Sequence, residues 1–337
     1  MKDAVENAGS TLVAVDTGTT NTRVWLLDGD RVLVRREAAV GARDTARDGS
    51  NVRLRAALRA SIAEVLRTVP PGRPAPRRIA AAGMITSPQG LVEVPHLVAP
   101  AGVGELAAGA RETLVEDVSD RPFFLVPGVR TAARPGAAAG IGATDVMRGE
   151  ETLSVGLVQQ GHLAPGGALL NVGSHWKLIR MDEAGRVAWS VTSLSGELVQ
   201  AARSQTILAS AVAEGVPTRA DPDLLIDGAA EARRSGLARA LFCVRLLELS
   251  AAGTPQTRLS FLLGAFIGAD LDRLRVSGSL LPGTPITISG DEKVGGAWAS
   301  VLEREGHPVR SLSPAAVEAG LLAGLRAVLD ARLPSHS

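Results

Sequence analysis

Four stretches of this 337-residue chain carry side chains suited to holding phosphate and moving a proton. The first is Asp16-Thr17-Gly18-Thr19-Thr20-Asn21-Thr22-Arg23, a carboxylate at the end of an apolar run, then a glycine where backbone must approach another group, with hydroxyls around it. Exposed backbone N–H groups and small hydroxyls in such a turn donate to phosphate oxygens, and Asp16 suits a hydrated Mg²⁺ ion. An ordinary hairpin turn uses the same residue types, so the motif does not decide alone. The second stretch, Gly173-Ser174-His175-Trp176-Lys177, offers another small-residue turn and a point charge at Lys177. The third, Asp145 to Thr152 (DVMRGEET), follows a Gly/Ala-rich segment at 135–142. Phosphoryl transfer to an alcohol needs an acceptor for the hydroxyl proton, and Glu150, Glu151 and Asp145 are all candidates that the sequence does not separate. A solvated interdomain hinge would have the same charge density. The fourth is the block 83–95, discussed below.

These stretches need elements to hold them. Residues 11–16, 24–27 and 32–34 are apolar runs joined by polar turns, which predicts a three-stranded antiparallel meander. Helical periodicity over 52–69, a strand at 79–82, a helix at 103–118 and a strand at 123–126 follow. The same grammar returns at 168–172, 178–181 and 187–191, then helices near 196–214, 229–250 and 258–274, a strand at 286–289, a helix over 295–305, a strand at 309–312 and a helix at 315–331. The expectation is two β-β-β-α-β-α-β halves, 1–150 and 151–337, each bringing a strand into a phosphate turn, with the last helix a candidate to pack back on the first half.

Composition narrows the class. Lys plus Arg number 36 and Asp plus Glu 35, so no overall field favours nucleic acid or an anionic membrane surface. The single Cys243 rules out an internal disulfide and a multi-cysteine metal site. No apolar run is long enough to span a bilayer and the N-terminus has no signal-like apolar stretch, so a cytoplasmic protein is expected.

In chain order, AVDTGTTNTRVWLL, AAGMITSPQGLVEVPHLVAPA, DVMRGEET, GSHWKL, LSGEL and FLLGAFIGADL resemble the motifs of 2-dehydro-3-deoxygalactonokinases. The resemblance implies an α/β fold of duplicated ribonuclease H-like (actin-like ATPase) domains, each a mixed five-stranded sheet with helices and a cleft between them. It implies ATP-dependent phosphorylation, with Mg²⁺, of the terminal (6-) hydroxyl of 2-dehydro-3-deoxy-D-galactonate in galactonate catabolism. On that reading Asp16, Thr17, Gly18, Thr19, Thr20, Asn21, Gly173, Ser174 and Lys177 bind ATP phosphates, and Gly290 lies in the adenosine turn. Arg23, Met84, Thr86, Ser87, Glu93, Arg148 and His175 are the substrate-side candidates. The partners are a sugar acid and ATP, without nucleic acid or membrane, and a homodimer stays open.

The chain departs from the family pattern at Leu91 and His96, where Trp and Tyr are frequent, and at Trp176, an indole displaced by two positions, with Leu178 where the family has its Trp. These positions are expected near the sugar, which keeps a different acceptor open, as well as a non-catalytic nucleotide- or sugar-binding protein. Asp291 and Glu292 beside Gly290 put the adenosine contact in question.

Overall fold

The computed structural model describes residues 11–131, 141–215 and 220–332; most of the Gly/Ala-rich segment lies outside them. In chain order the elements are β1 (Thr11–Thr17), β2 (Thr22–Asp28), β3 (Arg31–Ala38), α1 (Ala42–Asp48), α2 (Val52–Leu66), β4 (Ile79–Gly83), β5 (Leu97–Val98), α3 (Val103–Gly109), β6 (Arg111–Thr113), β7 (Phe123–Leu125), β8 (Val129–Thr131), β9 (Asp145–Met147) and α4 (Glu150–Gln159). There follow β10 (Ala168–Val172), β11 (Trp176–Met181), β12 (Val187–Ser193), α5 (Ser195–Gln205), α6 (Pro222–Ser235), α7 (Leu237–Leu249), α8 (Pro255–Val276), β13 (Ile286–Gly290), α9 (Glu292–Arg304), β14 (Val309–Ser311) and α10 (Pro314–Arg332). They form two compact units. One holds the described parts of Met1–His162, Gly185–Trp189 and Glu318–Ser337; the other holds Leu163–Ala184 and Ser190–Val317.

In the first unit the main sheet runs β3-β2-β1-β4-β7-β6, with β1 antiparallel to β2 and parallel to β4. The expected five-stranded core is there, with β6 added along the edge of β7. Every residue of β1 is buried, as a central strand covered on both faces requires. On α2, Leu54, Leu58, Ile62 and Val65 recur at helical spacing and pack into one core with Val13, Val15, Val24, Ile79 and Phe123. Each such side chain contributes about 1.5–3 kcal/mol on burial. A separate small sheet, β5-β8-β9, was not foreseen because its strands have only two or three residues each. The helix expected over 103–118 stops at Gly109, since Arg111 to Thr113 pair with β7 instead.

The charged block after Met147 is a helix start, where a hinge was the alternative. From Glu151 to Leu157 every residue of α4 is buried, so no polar face marks the helix in sequence. The helix fits because Gly156 lies against the backbone of Gly320, and Gly324 against that of Thr152, where α4 crosses α10 inside this unit.

The second unit repeats the plan with the sheet β12-β11-β10-β13-β14, in which β10 is antiparallel to β11 and parallel to β13. The helical tract expected at 229–250 is two helices, α6 and α7, broken at Gly236 with its φ of 82°. α6 packs closely along the long buried helix α8, with Gly228 against Phe261, Gly264 against Leu225 and Gly268 against Ala229. Among the described residues no helix is long and apolar enough to cross a membrane.

Candidate active site

Asp16 and Thr17 end β1 beside the end of β4, where Asp16 pairs with Ala82 and Thr17 with Gly83. Ligands of open α/β sheets collect at such carboxyl ends of parallel strands. The turn after β1 is drawn tight by Gly18 N–H donating to Asn21 O at 2.8 Å. It is then pinned from the side, with Ala42 N–H donating to Gly18 O at 3.1 Å and Arg43 N–H to Thr19 O at 2.9 Å. Gly41 makes that approach feasible, because a Cβ there would sit 2.5 Å from the Thr19 carbonyl. The tip residues Thr19, Thr20 and Asn21 are exposed, and Asn21 Nδ2 donates to Glu37 at 3.0 Å. Thr17 is fully buried, paired on both sides in the sheet, and its hydroxyl accepts from Thr22 Oγ1 at 3.4 Å.

Asp16 is 6% exposed, and Arg23 donates to its Oδ2 at 2.6 Å. Burial holds the carboxyl above the ordinary range, outweighing the Arg23 guanidinium, and the charge of Glu150 pushes the same way. The other oxygen, Oδ1, faces two glycines. A Cβ on Gly83 would lie 2.7 Å from it and one on Gly149 3.8 Å. Both glycines have positive φ, 86° and 102°, which suits residues without a side chain. A cradle thus exists on the Oδ1 side of Asp16 that any larger residue would fill.

Gly149 also starts α4. Its N–H donates to both carboxylate oxygens of Glu151, at 2.9 and 2.8 Å, and Thr152 Oγ1 donates to Oε1 at 2.9 Å. Glu151 is completely buried; burial, with the neighbouring Glu150 charge, pushes its carboxyl up to about 7. Glu150 is half-buried, accepts from Arg148 N–H at 3.2 Å and interacts electrostatically with Asp16. Asp145 lies apart from these on β9, opposite Thr131 in the small sheet. The structure therefore brings Glu150 within electrostatic reach of Asp16, holds Glu151 on the N–H of Gly149, and leaves Asp145 on another sheet.

Arg148 is the hub of the block at 83–96. Its guanidinium donates to Thr86 Oγ1 at 2.8 Å and Val94 O at 2.9 Å, and stands 3.3 Å from His96 Nδ1. Burial lowers its pKa, opposed by the charges of Glu151 and Glu93. Thr86 is fully buried and donates to Gly83 O at 3.0 Å, while Ser87 donates to Met84 O at 2.8 Å. Both hydroxyls are spent locally; Met84 is half-buried and Glu93 exposed. Of the three aromatic departures, only His96 lies at this hub. Leu91 packs in the first unit's core, and Trp176 is buried edge-on against Trp298, ring centroids 5.4 Å apart. Leu178 is likewise buried on β11. The altered Leu91, Trp176 and Leu178 positions serve cores, correcting the expectation that they line the sugar.

In the second unit, Gly173, Ser174 and His175 form an exposed turn between β10 and β11. His175 Nε2 is 3.5 Å from Glu197. Lys177 is not in the turn: β11 begins at Trp176, and Lys177 is 7% exposed opposite Asn171. As Gly41 does in the first unit, Gly196 packs directly on the carbonyls of Gly173 and Ser174, and Glu197 N–H donates to Ser174 O at 2.8 Å. Gly290, with φ of 111°, packs on the Val172 backbone. Asp291 caps α9, accepting from Lys293 N–H at 3.0 Å and Val294 N–H at 2.9 Å, and Glu292 sits in the helix's first turn. Those two acids thus have a helix-starting role. Sequence reading missed Gly41, Gly149 and Gly196; a lone glycine near a helix start was the only signal, and it is a common one.

The two units share an α/β plan, with a small-residue turn at the end of β1 and a carboxylate pair at the start of α4. The model of the 2-keto-3-deoxy-galactonokinase family matches residues 16–324, and the chain belongs to that family. It is 33% identical over 324 residues to a Rhizobium meliloti (strain 1021) protein named "Probable 2-dehydro-3-deoxygalactonokinase", covering 94% of this chain and 96% of that one. With the 2-dehydro-3-deoxygalactonokinase of Escherichia coli (strain K12) it shares 28% over 272 residues, 78% of this chain and 80% of that one. A crystal structure from Sinorhizobium meliloti assigned to the same activity superposes with a TM-score of 0.74 at 28% identity, covering 96% of this chain and 99% of that one. A Porphyromonas gingivalis structure assigned as an N-acetylglucosamine kinase, TM-score 0.50 at 13% identity over 94% of this chain and 99% of that one, shares the fold.

Proposed function

We propose that this chain transfers the terminal phosphoryl group of ATP to the 6-hydroxyl of 2-dehydro-3-deoxy-D-galactonate. The observation that carries the reading is the cluster of Asp16, Glu150 and Glu151 around the Cβ-less pair Gly83 and Gly149, in a chain of this family. Glu150 is the base: it is half-buried, so a substrate can reach it, and its charge is felt at Asp16. It takes the hydroxyl proton as the acceptor oxygen bonds to phosphorus and the bond from phosphorus to ADP breaks. Glu151, buried and held on Gly149 N–H, fixes the start of α4 and so aims Glu150. Arg148, pinned by Thr86 and Val94, takes the sugar acid's carboxylate. In each unit the exposed turn tip, Thr19 to Asn21 in the first and Ser174 and His175 in the second, offers backbone N–H groups to phosphate oxygens, the Gly173 N–H being spent on His175 O at 3.1 Å.

Asp16 fits Mg²⁺. Its Oδ1 opens on a glycine cradle, and a magnesium ion is commonly held by one or two carboxylates with phosphate and water completing its shell. Bound there, the ion would neutralise charge on the transferring phosphoryl group. The test is ADP release from MgATP with a panel of sugar acids. Stimulation strongest with 2-dehydro-3-deoxy-D-galactonate supports the proposal; higher kcat/KM with another sugar acid reassigns the acceptor, consistent with His96 at the Arg148 hub.

A further inference from the structure

Asp270, on α8 in the second unit, has no part in the roles above. The Ser193 hydroxyl donates to its Oδ2 at 2.6 Å, and Ser193 and Ser195 Oγ lie 3.0 Å apart. Ser195 is the first residue of α5, and its N–H points back to Ser193 Oγ at 3.4 Å. The next two residues hold the phosphate-type turn: Gly196 packs on the Gly173 and Ser174 carbonyls, and Glu197 N–H donates to Ser174 O at 2.8 Å. A continuous line of contacts runs from the α8 carboxylate to the turn backbone. We propose that Asp270 is a positioning residue for the turn at Gly173 to His175, fixing the first turn of α5 through Ser193 and Ser195 and thereby the N–H groups that meet ATP phosphates.

Two physical points favour this over simple packing. Asp270 follows the buried apolar tract of α8, and burial raises its carboxyl above the ordinary range despite the two serine hydroxyls. A position that only filled space against α5 would be served at lower cost by an apolar residue. Gly196 shows in addition that the α5–turn contact is built to backbone distance, so a small displacement of α5 is passed directly to Ser174.

The inference rests on the reading that this turn holds ATP phosphates, so its test separates the two. Steady-state kinetics of the full chain with MgATP and 2-dehydro-3-deoxy-D-galactonate would compare wild type, Asp270→Ala, Asp270→Asn and Gly196→Ala. Asp270→Ala should raise the KM for MgATP about tenfold while the acceptor KM stays within about twofold. Asp270→Asn keeps an acceptor oxygen for Ser193 and should recover most of the loss. Gly196→Ala, which forces a Cβ into Ser174, should raise the MgATP KM on its own. An unchanged MgATP KM in both Asp270 variants, with Gly196→Ala impaired, overturns the role of Asp270 alone. Equal rises in both KM values also overturn it, because they indicate general damage. An unaffected Gly196→Ala enzyme overturns the phosphate role of the turn and the inference with it, whereas acceptor-dependent ADP release by wild type tests the kinase reading separately. Should Asp270→Ala not fold, Ser193→Ala and Asp270→Asn carry the same comparison.

Discussion

Replacing Glu151 with glutamine offers a perturbation whose size follows from the structure. The Glu151 carboxyl is wholly buried and its pKa rises from 4.5 to about 7, first by burial and then by the Glu150 charge. A folded-state pKa above the unfolded value means that the folded protein binds more protons in between, so stability falls as pH rises through that window. The contribution is intact below about 4.5 and fully lost above about 7. A displacement of this size, at about 1.4 kcal/mol per unit, gives a swing of about 3 kcal/mol. Glutamine does not titrate, keeps an oxygen for Gly149 N–H and leaves the volume unchanged. The difference in unfolding free energy between Glu151→Gln and wild type should therefore shift in the variant's favour by about 3 kcal/mol from pH 4.5 to pH 8. Urea unfolding at closely spaced pH values measures it, and taking the difference cancels carboxyls that do not couple to this one. Glu150 does couple, so the same series on the Glu150→Gln background should show a smaller swing. A difference that stays flat from pH 4.5 to 8 would refute the buried, proton-binding state of Glu151.

Further outcomes follow from the same geometry. Glu150→Gln should lower kcat by about 10²–10⁴-fold with little change in either KM, as loss of a general base does, whereas Glu151→Gln should keep more of its activity. Arg148→Lys keeps the charge but loses the fork that spans Thr86 and Val94; the acceptor KM should rise by roughly tenfold with the MgATP KM unmoved. Gly83→Ala places a methyl 2.5 Å from Thr17 O at a φ of 86°, so denaturant unfolding should show a loss of about 2–4 kcal/mol together with inactivation.

What could be read without coordinates was the part written in local pattern. The runs that became β1, β2 and β10 are short and apolar almost throughout, as buried strands are, and the polar turns at Gly18 and Gly173 punctuate them. The duplicated sheet plan followed from their recurrence. The α4 helix was illegible because burial on every side erases amphipathic spacing, and so the Glu150 and Glu151 block passed for a possible hinge. Thr86 and Ser87 looked like ligand groups by residue type, but their hydroxyls are consumed by Arg148, Gly83 and Met84, which only the fold brings near. Leu91 and Trp176 misled for the opposite reason: an aromatic position that differs from a family pattern reads as specificity until burial shows it to be core. The glycines that let helices rest on the two turns carry no distinguishing signal in a chain with 37 of them.

The most direct test of the central claim is a coupled ADP assay of the wild-type chain and Asp16→Asn, with MgATP, in the presence and absence of 2-dehydro-3-deoxy-D-galactonate. The account predicts ADP release that depends on the sugar acid in wild type and falls by at least about a hundredfold in Asp16→Asn while the variant's unfolding curve stays close to wild type. A fully active Asp16→Asn enzyme, or wild-type ADP release indifferent to every sugar acid offered, would contradict it.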